Sequence, residues 1–189
     1  MKLPKLSLFC SLALLAGLAP ARAAQDNLPA LFGSRITAAP HFAAPIATGD
    51  FAGDSLPDRV YFVKIAPASP TATLAPDVIV NDKTFGTAPL GKWGEDLALA
   101  IVQGNGKVKT LLTGYEGEDT NDFFSDPMWH EAKPPVHLAK RGSKIFVTFR
   151  RQNKAIRNDV LVIETEAGID TALYWTGKGY AWFQPDEEP

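Results

Sequence analysis

The chain has 189 residues, with 19 Lys and Arg against 21 Asp and Glu, 46% hydrophobic residues and one cysteine. This is long enough for one domain with a sizeable core. The faintly acidic balance lacks the basic footprint of a nucleic-acid or anionic-membrane binder, and one cysteine excludes a disulfide framework.

The N-terminus reads as an export signal. Lys2 and Lys5 form a positive start, residues 6–19 are an apolar run of 14, and Pro20 ends it before the small-x-small site Ala21-Arg22-Ala23. The run falls short of the roughly 20 residues that span a bilayer, so cleavage is expected, with the mature chain starting at Ala24. Cys10 lies inside the run and leaves with it, so the mature chain must hold its fold in an oxidising compartment without disulfides. Losing Lys2, Lys5 and Arg22 leaves 16 basic against 21 acidic residues. The expected address is a bacterial periplasm, or else the extracellular medium, with no membrane span after cleavage.

After the signal (1–23), residues 24–48 are rich in Ala and Pro and are expected to be an irregular lead-in, with a turn of helix at Leu28-Pro29-Ala30-Leu31-Phe32. Residues 49–189 form a single β-rich domain. Strands are expected at 60–63, where β-branched and aromatic residues follow one another, and at 77–80. Residues 97–103 and 108–113 flank Gly104-Asn105-Gly106-Lys107, and Asn-Gly is the strongest short hairpin signal. Residues 144–150 alternate, with Ile145, Val147 and Phe149 on one face, which predicts a further strand, and 160–164 is another. A second hairpin is expected from 171–175 and 180–184 around Thr176-Gly177-Lys178-Gly179. The pattern predicts an all-β fold, an antiparallel meander or sandwich of about eight short strands with one long acidic-aromatic loop.

The turn before the first strand carries Asp50, Asp54 and Asp58, four residues apart, with Gly53 inside it and Pro57 at its end. Calcium takes about six to eight oxygens from carboxylates, carbonyls and water. Asp50, Asp54 and Asp58, with the Leu56 carbonyl, are the expected set. The segment resembles the FG-GAP (VCBS-type) loop, Asp-x-Asn/Asp-Gly-Asp-Gly-x-x-Asp, over about ten residues. That resemblance implies a calcium loop opening a β-hairpin in an exported protein. A weaker likeness, to small periplasmic proteins with a single such loop, extends to residues 97–112 and 174–180. Two positions depart from the pattern: Ala52 stands where the family has a liganding Asn or Asp, and Ser55 replaces a Gly. Two readings follow, a structural calcium site or an ion-free loop held by Asx-type hydrogen bonds.

Residues 115–131 combine six carboxylates (Glu116, Glu118, Asp119, Asp122, Asp126 and Glu131) with Tyr115, Phe123, Phe124 and Trp129. Glu116, Glu118, Asp119, Asp122, Phe123, Phe124, Asp126 and Trp129 are the expected partner-binding residues, an aromatic anchor ringed by carboxylates. The alternative is an aromatic cap on the sheet with solvated charges around it. Signals for catalysis are weak. His130 and His137 are seven apart with Pro134 and Pro135 between them, which is not a helical metal pair, and no Gly-x-Ser-x-Gly elbow exists. Ser125, Asp126 and His130 are close only in sequence, His41 sits between Pro40 and Phe42, and Glu164 and Glu166 would share one strand face. Residues 150–157 are the basic cluster, expected at a hairpin turn that protects a sheet edge. Trp93, Trp175, Tyr180 and Trp182 are expected to be core aromatics, or, for the last three, a ligand-binding stripe.

The expected function is an exported, non-catalytic β-domain that binds an envelope protein or glycan and takes no cofactor, unless calcium fills the loop. The alternatives are an immunity or inhibitor protein blocking a toxin or lytic enzyme, and a carbohydrate-binding module or glycan hydrolase.

Overall fold

The computed structural model describes residues 26–67, 69–81, 96–113, 129, 131, 133–164, 168 and 170–185. The signal segment therefore lies outside the described residues. In chain order the elements are α1 (Leu28–Phe32), β1 (Ile36–Ala38), β2 (Ala47–Gly49), β3 (Asp58–Ile65), β4 (Val78–Asn81), β5 (Asp96–Val102), β6 (Lys109–Leu112), β7 (Val136–Ala139), α2 (Lys144–Gln152), β8 (Val160–Ile163), β9 (Thr171–Trp175) and β10 (Tyr180–Phe183). The fold is all-β in class, and the strands form two sheets.

The first sheet runs β1-β3-β5-β6-β4, with β2 also paired to β3. β1 covers one end of β3 (Ile36 opposite Ile65) and β2 the other (Gly49 opposite Asp58). The second sheet is the meander β10-β9-β8-β7. Every described pairing is antiparallel except β4 with β6, which is parallel.

Period-two alternation sorts the side chains into three apolar layers. Val60 and Phe62 of β3 and Leu99 and Ile101 of β5 face Leu161, Ile163, Leu173, Tyr180 and Trp182 of the second sheet, making the inter-sheet core. The opposite face of the first sheet, with Tyr61, Val63, Ile65, Ala98 and Ala100, is covered by Leu28 and Phe32 of α1. The outer face of the second sheet, with Val160, Val162, Ala172 and Tyr174, is covered by Phe146 and Phe149 of α2. Because both faces of each sheet are apolar, their central strands read as continuous hydrophobic runs.

Three expectations change. Residues 144–150 are helix, not strand. Ser143 is the N-cap, its hydroxyl accepting the Phe146 amide at 3.3 Å, and Phe146 and Phe149, three apart, fall on one helical face. The alternation places Ile145 and Val147 together with Phe149, yet in the helix they lie off the buried stripe, 43% and 45% exposed. The basic cluster at 150–157 consequently closes this helix and leads into β8; it is not a hairpin turn. The lead-in, finally, is not irregular: it holds α1, β1 and most of β2, whose backbone groups complete the edge of β3.

Candidate functional site

The aspartate turn docks on the end of the sandwich, and each of its carboxylates already has amide partners. Asp50 accepts from the Gly53 amide at 2.7 Å and the Ser55 amide at 3.1 Å. Gly53 (φ 79°) and Ser55 (φ 65°) adopt the left-handed conformation that aims those amides inward. Asp54 accepts from the Leu56 amide at 3.0 Å and from the Asn105 side-chain amide at 2.9 Å. Asp58 is fully buried and accepts from the Ala52 and Gly104 amides, both at 2.7 Å. Burial pushes the Asp58 carboxyl above the usual carboxylate range, outweighing the Gly104 and Ala52 amides that favour its ionised form. A Cβ on Gly104 would lie 2.5 Å from Leu56 Cβ, so only glycine lets the β5–β6 turn approach this loop so closely.

This donor set does not fit a calcium ion. All six carboxylate oxygens of the three aspartates accept an N–H, and Ala52 adds no side-chain oxygen. Among the described residues no group of three or more His, Cys, Asp or Glu side chains is placed to hold a metal. The arrangement is that of an Asx-braced turn.

The brace continues into the second sheet. The Asp50 amide donates to Asp159 Oδ2 at 3.0 Å, the Asp159 amide donates back to the Asp50 carbonyl at 3.2 Å, and Asp159 Oδ1 accepts from the Arg141 amide at 2.7 Å. Asn158 donates its side-chain N–H to the Phe51 carbonyl at 3.1 Å, and Phe51 is buried. The turn thus clamps the β5–β6 hairpin to the segment that leads into β8.

Of the expected partner-binding residues, Glu116, Glu118, Asp119, Asp122, Phe123, Phe124 and Asp126 lie outside the described residues. Trp129 is described and is not a surface anchor. It is 1% exposed in the inter-sheet core, with its ring centroid 5.0 Å from that of Phe62. An indole that fills an interior gap contributes its area to folding and offers none to a partner. Tyr180 and Trp182 also face the inter-sheet core, so the aromatic stripe is interior, and only half-buried Trp175, ring centroid 5.0 Å from Tyr180, reaches the surface. His41 is exposed in a turn at φ 69°, and His137 sits on β7 with Nδ1 3.5 Å from Glu164. His130, Glu166 and Trp93 lie outside the described residues.

The surface that sequence reasoning undervalued surrounds α2. Residues 132–158 contain eight cations (Lys133, Lys140, Arg141, Lys144, Arg150, Arg151, Lys154 and Arg157) and no Asp or Glu. All eight are exposed. The ion pairs of the described residues, Arg59–Asp26, Lys109–Asp77 and His137–Glu164, involve none of them. Arg150 alone is tied down, donating to the Ile156 carbonyl at 3.2 Å and so closing the helix end. The rest of the chain carries 11 cations against 21 acids, so the near-neutral total hides a segregated surface. A signal was available: a cation every three to seven residues over 27 residues without one acid.

Beside this surface lies a shallow groove of about 260 Å³, lined by Ala52, Arg157, Asn158, Trp175, Thr176 and Gly177 among others. No helix among the described residues is long and apolar enough to cross a membrane. No family model matches the chain, and no curated protein or solved structure is significantly similar to it.

Proposed function

We propose that the chain is an exported, non-catalytic β-domain that binds another macromolecule of the cell envelope, and that its contact surface is the cationic face around α2. Export rests on the N-terminal pattern of Lys2, Lys5, the apolar run and Ala21-Arg22-Ala23. The observation that carries the binding reading is the set of eight exposed cations with no acid in the intervening sequence and no ion pair among the described residues. Uncompensated positive charge on one face raises the local concentration of an anionic partner and speeds its encounter. Ile145 and Val147 stand exposed among the cations and give a docked partner apolar contact that charge alone lacks. The partner this surface fits is acidic.

The test is capture from an envelope fraction by tagged residues 24–189, compared with the triple variant Lys144→Glu/Arg151→Glu/Lys154→Glu. The reading expects a macromolecule retained by the wild type, released as salt rises, and lost by the variant. Equal capture by both proteins, or none by the wild type, sinks it.

A further inference from the structure

The groove beside Trp175 combines two features that the rest of the described surface keeps apart, an unengaged guanidinium and a flat aromatic face. We infer that it is a binding site for one carboxylate-bearing sugar ring, a uronide, of an acidic glycan. The inference rests on the binding reading above and names the ligand class for one of its contacts.

Arg157 lines the groove from the segment between α2 and β8. Among the described residues it makes no hydrogen bond or ion pair, and the nearby carboxylates do not compete for it. Asp159 is held by the Asp50 and Arg141 amides, and Asp50 by the Gly53 and Ser55 amides. A planar guanidinium left in this state matches a carboxylate through two parallel N–H···O bonds. Trp175, half-buried against Tyr180, presents part of an immobilised indole, and the apolar face of a pyranose packs on such a surface.

The floor is pre-organised. Asn158 Nδ2 is fixed by the Phe51 carbonyl, which leaves its Oδ1 oriented as an acceptor for a sugar hydroxyl. Its amide also lies against Gly53, where a Cβ would stand 2.5 Å away, so the amide cannot swing toward the loop. On the far wall, the Thr176 hydroxyl donates to the Gly179 carbonyl at 2.8 Å and accepts the Gly179 amide at 3.2 Å, which stiffens the β9–β10 turn. At about 260 Å³ the groove lies below the ~300–1,000 Å³ of pockets that enclose drug-sized ligands. One ring fits, with its chain neighbours running out over the open sides.

The experiment is a calorimetric titration of residues 24–189 with four small probes: methyl glucuronide, methyl glucoside, acetate and a short peptide ending in a free carboxylate. The glucuronide should bind at least tenfold more tightly than the glucoside, and acetate and the peptide should not compete with it. Arg157→Gln should reduce the glucuronide to the affinity of the glucoside, and Arg157→Lys should restore it only in part. Trp175→Leu should weaken both sugars together. Equal binding of the two sugars, displacement by acetate or the peptide, or undiminished uronide binding by the exposed Arg157→Gln overturns the inference. The triple variant on α2 keeps the groove intact, so it should bind methyl glucuronide as the wild type does. Loss of uronide binding with macromolecule capture intact would refute the groove alone; the reverse would refute the α2 surface.

Discussion

The aspartate turn and the cationic segment are both clusters of like charge, and they use charge in opposite ways. At the turn, six carboxylate oxygens take six N–H groups, and one carboxyl is fully buried. Around α2, eight exposed cations take no counter-charge among the described residues. Removing a charge from the first cluster strands amides; removing one from the second strands nothing. Spacing in the sequence marked both clusters as unusual, but only the position of the hydrogen-bonding partners separates a brace from a surface.

The largest effect that tests this contrast is Asp58→Ala. It leaves the Ala52 and Gly104 amides without their acceptor inside the sandwich end, and the expected loss is about 2–4 kcal/mol in denaturant unfolding. A loss under about 0.5 kcal/mol would mean that the turn is not a brace. Next in size is Ser143→Ala, which removes the cap from α2 and should cost about 1 kcal/mol while leaving partner capture intact. The triple charge reversal on α2 should change stability by no more than about 0.5 kcal/mol per site, because those side chains are exposed.

The pH dependence sharpens the same contrast. Burial raises the Asp58 carboxyl above its ordinary 3.8. Its contribution to stability is therefore full below that value and is lost as pH rises through the raised value. Asp26 runs the other way: burial opposes its charge, but hydrogen bonds from Tyr61 and Arg59 prevail and lower it, so its contribution is present above 3.8 and lost as pH falls through the lowered value. Unfolding curves between pH 3 and 7 should show Asp58→Asn removing the part of the dependence that favours low pH. An unchanged profile would mean that Asp58 does not titrate differently on folding. The smallest expected effect is that of calcium, whose addition or chelation should leave the thermal midpoint in place. A rise of several degrees would restore the ion site that the FG-GAP resemblance implies.

The sequence disclosed some elements better than others, for physical reasons. The β5–β6 and β9–β10 hairpins were legible because Asn105-Gly106 and Gly177-Lys178-Gly179 admit few conformations besides a tight turn, with Gly106 at φ 70° and Gly177 at φ 95°. α2 was not, because nine residues with hydrophobics at 145, 146, 147 and 149 satisfy both a period of two and a spacing of three. The Gly142-Ser143 cap was the local signal that favoured a helix. β1 and β2 have three residues each and owe their form to the edge of β3, which no local pattern encodes. The same holds for the parallel pairing of β4 with β6, set by tertiary contact alone. At the candidate site, the turn at 50–58 was visible, but the destination of its carboxylates depended on Asn105, Gly104 and Asp159, distant in sequence. Trp129 was misplaced because a tryptophan among acids reads as an anchor whether it points outward or into the core.

The most direct test of the binding surface is the salt-dependent capture of an envelope macromolecule by residues 24–189 alongside Lys144→Glu/Arg151→Glu/Lys154→Glu, with equal folding of both confirmed by thermal melting. The account predicts an acidic macromolecule bound by the wild type, weakened by salt and absent from the variant. Undiminished capture by a folded variant would contradict it.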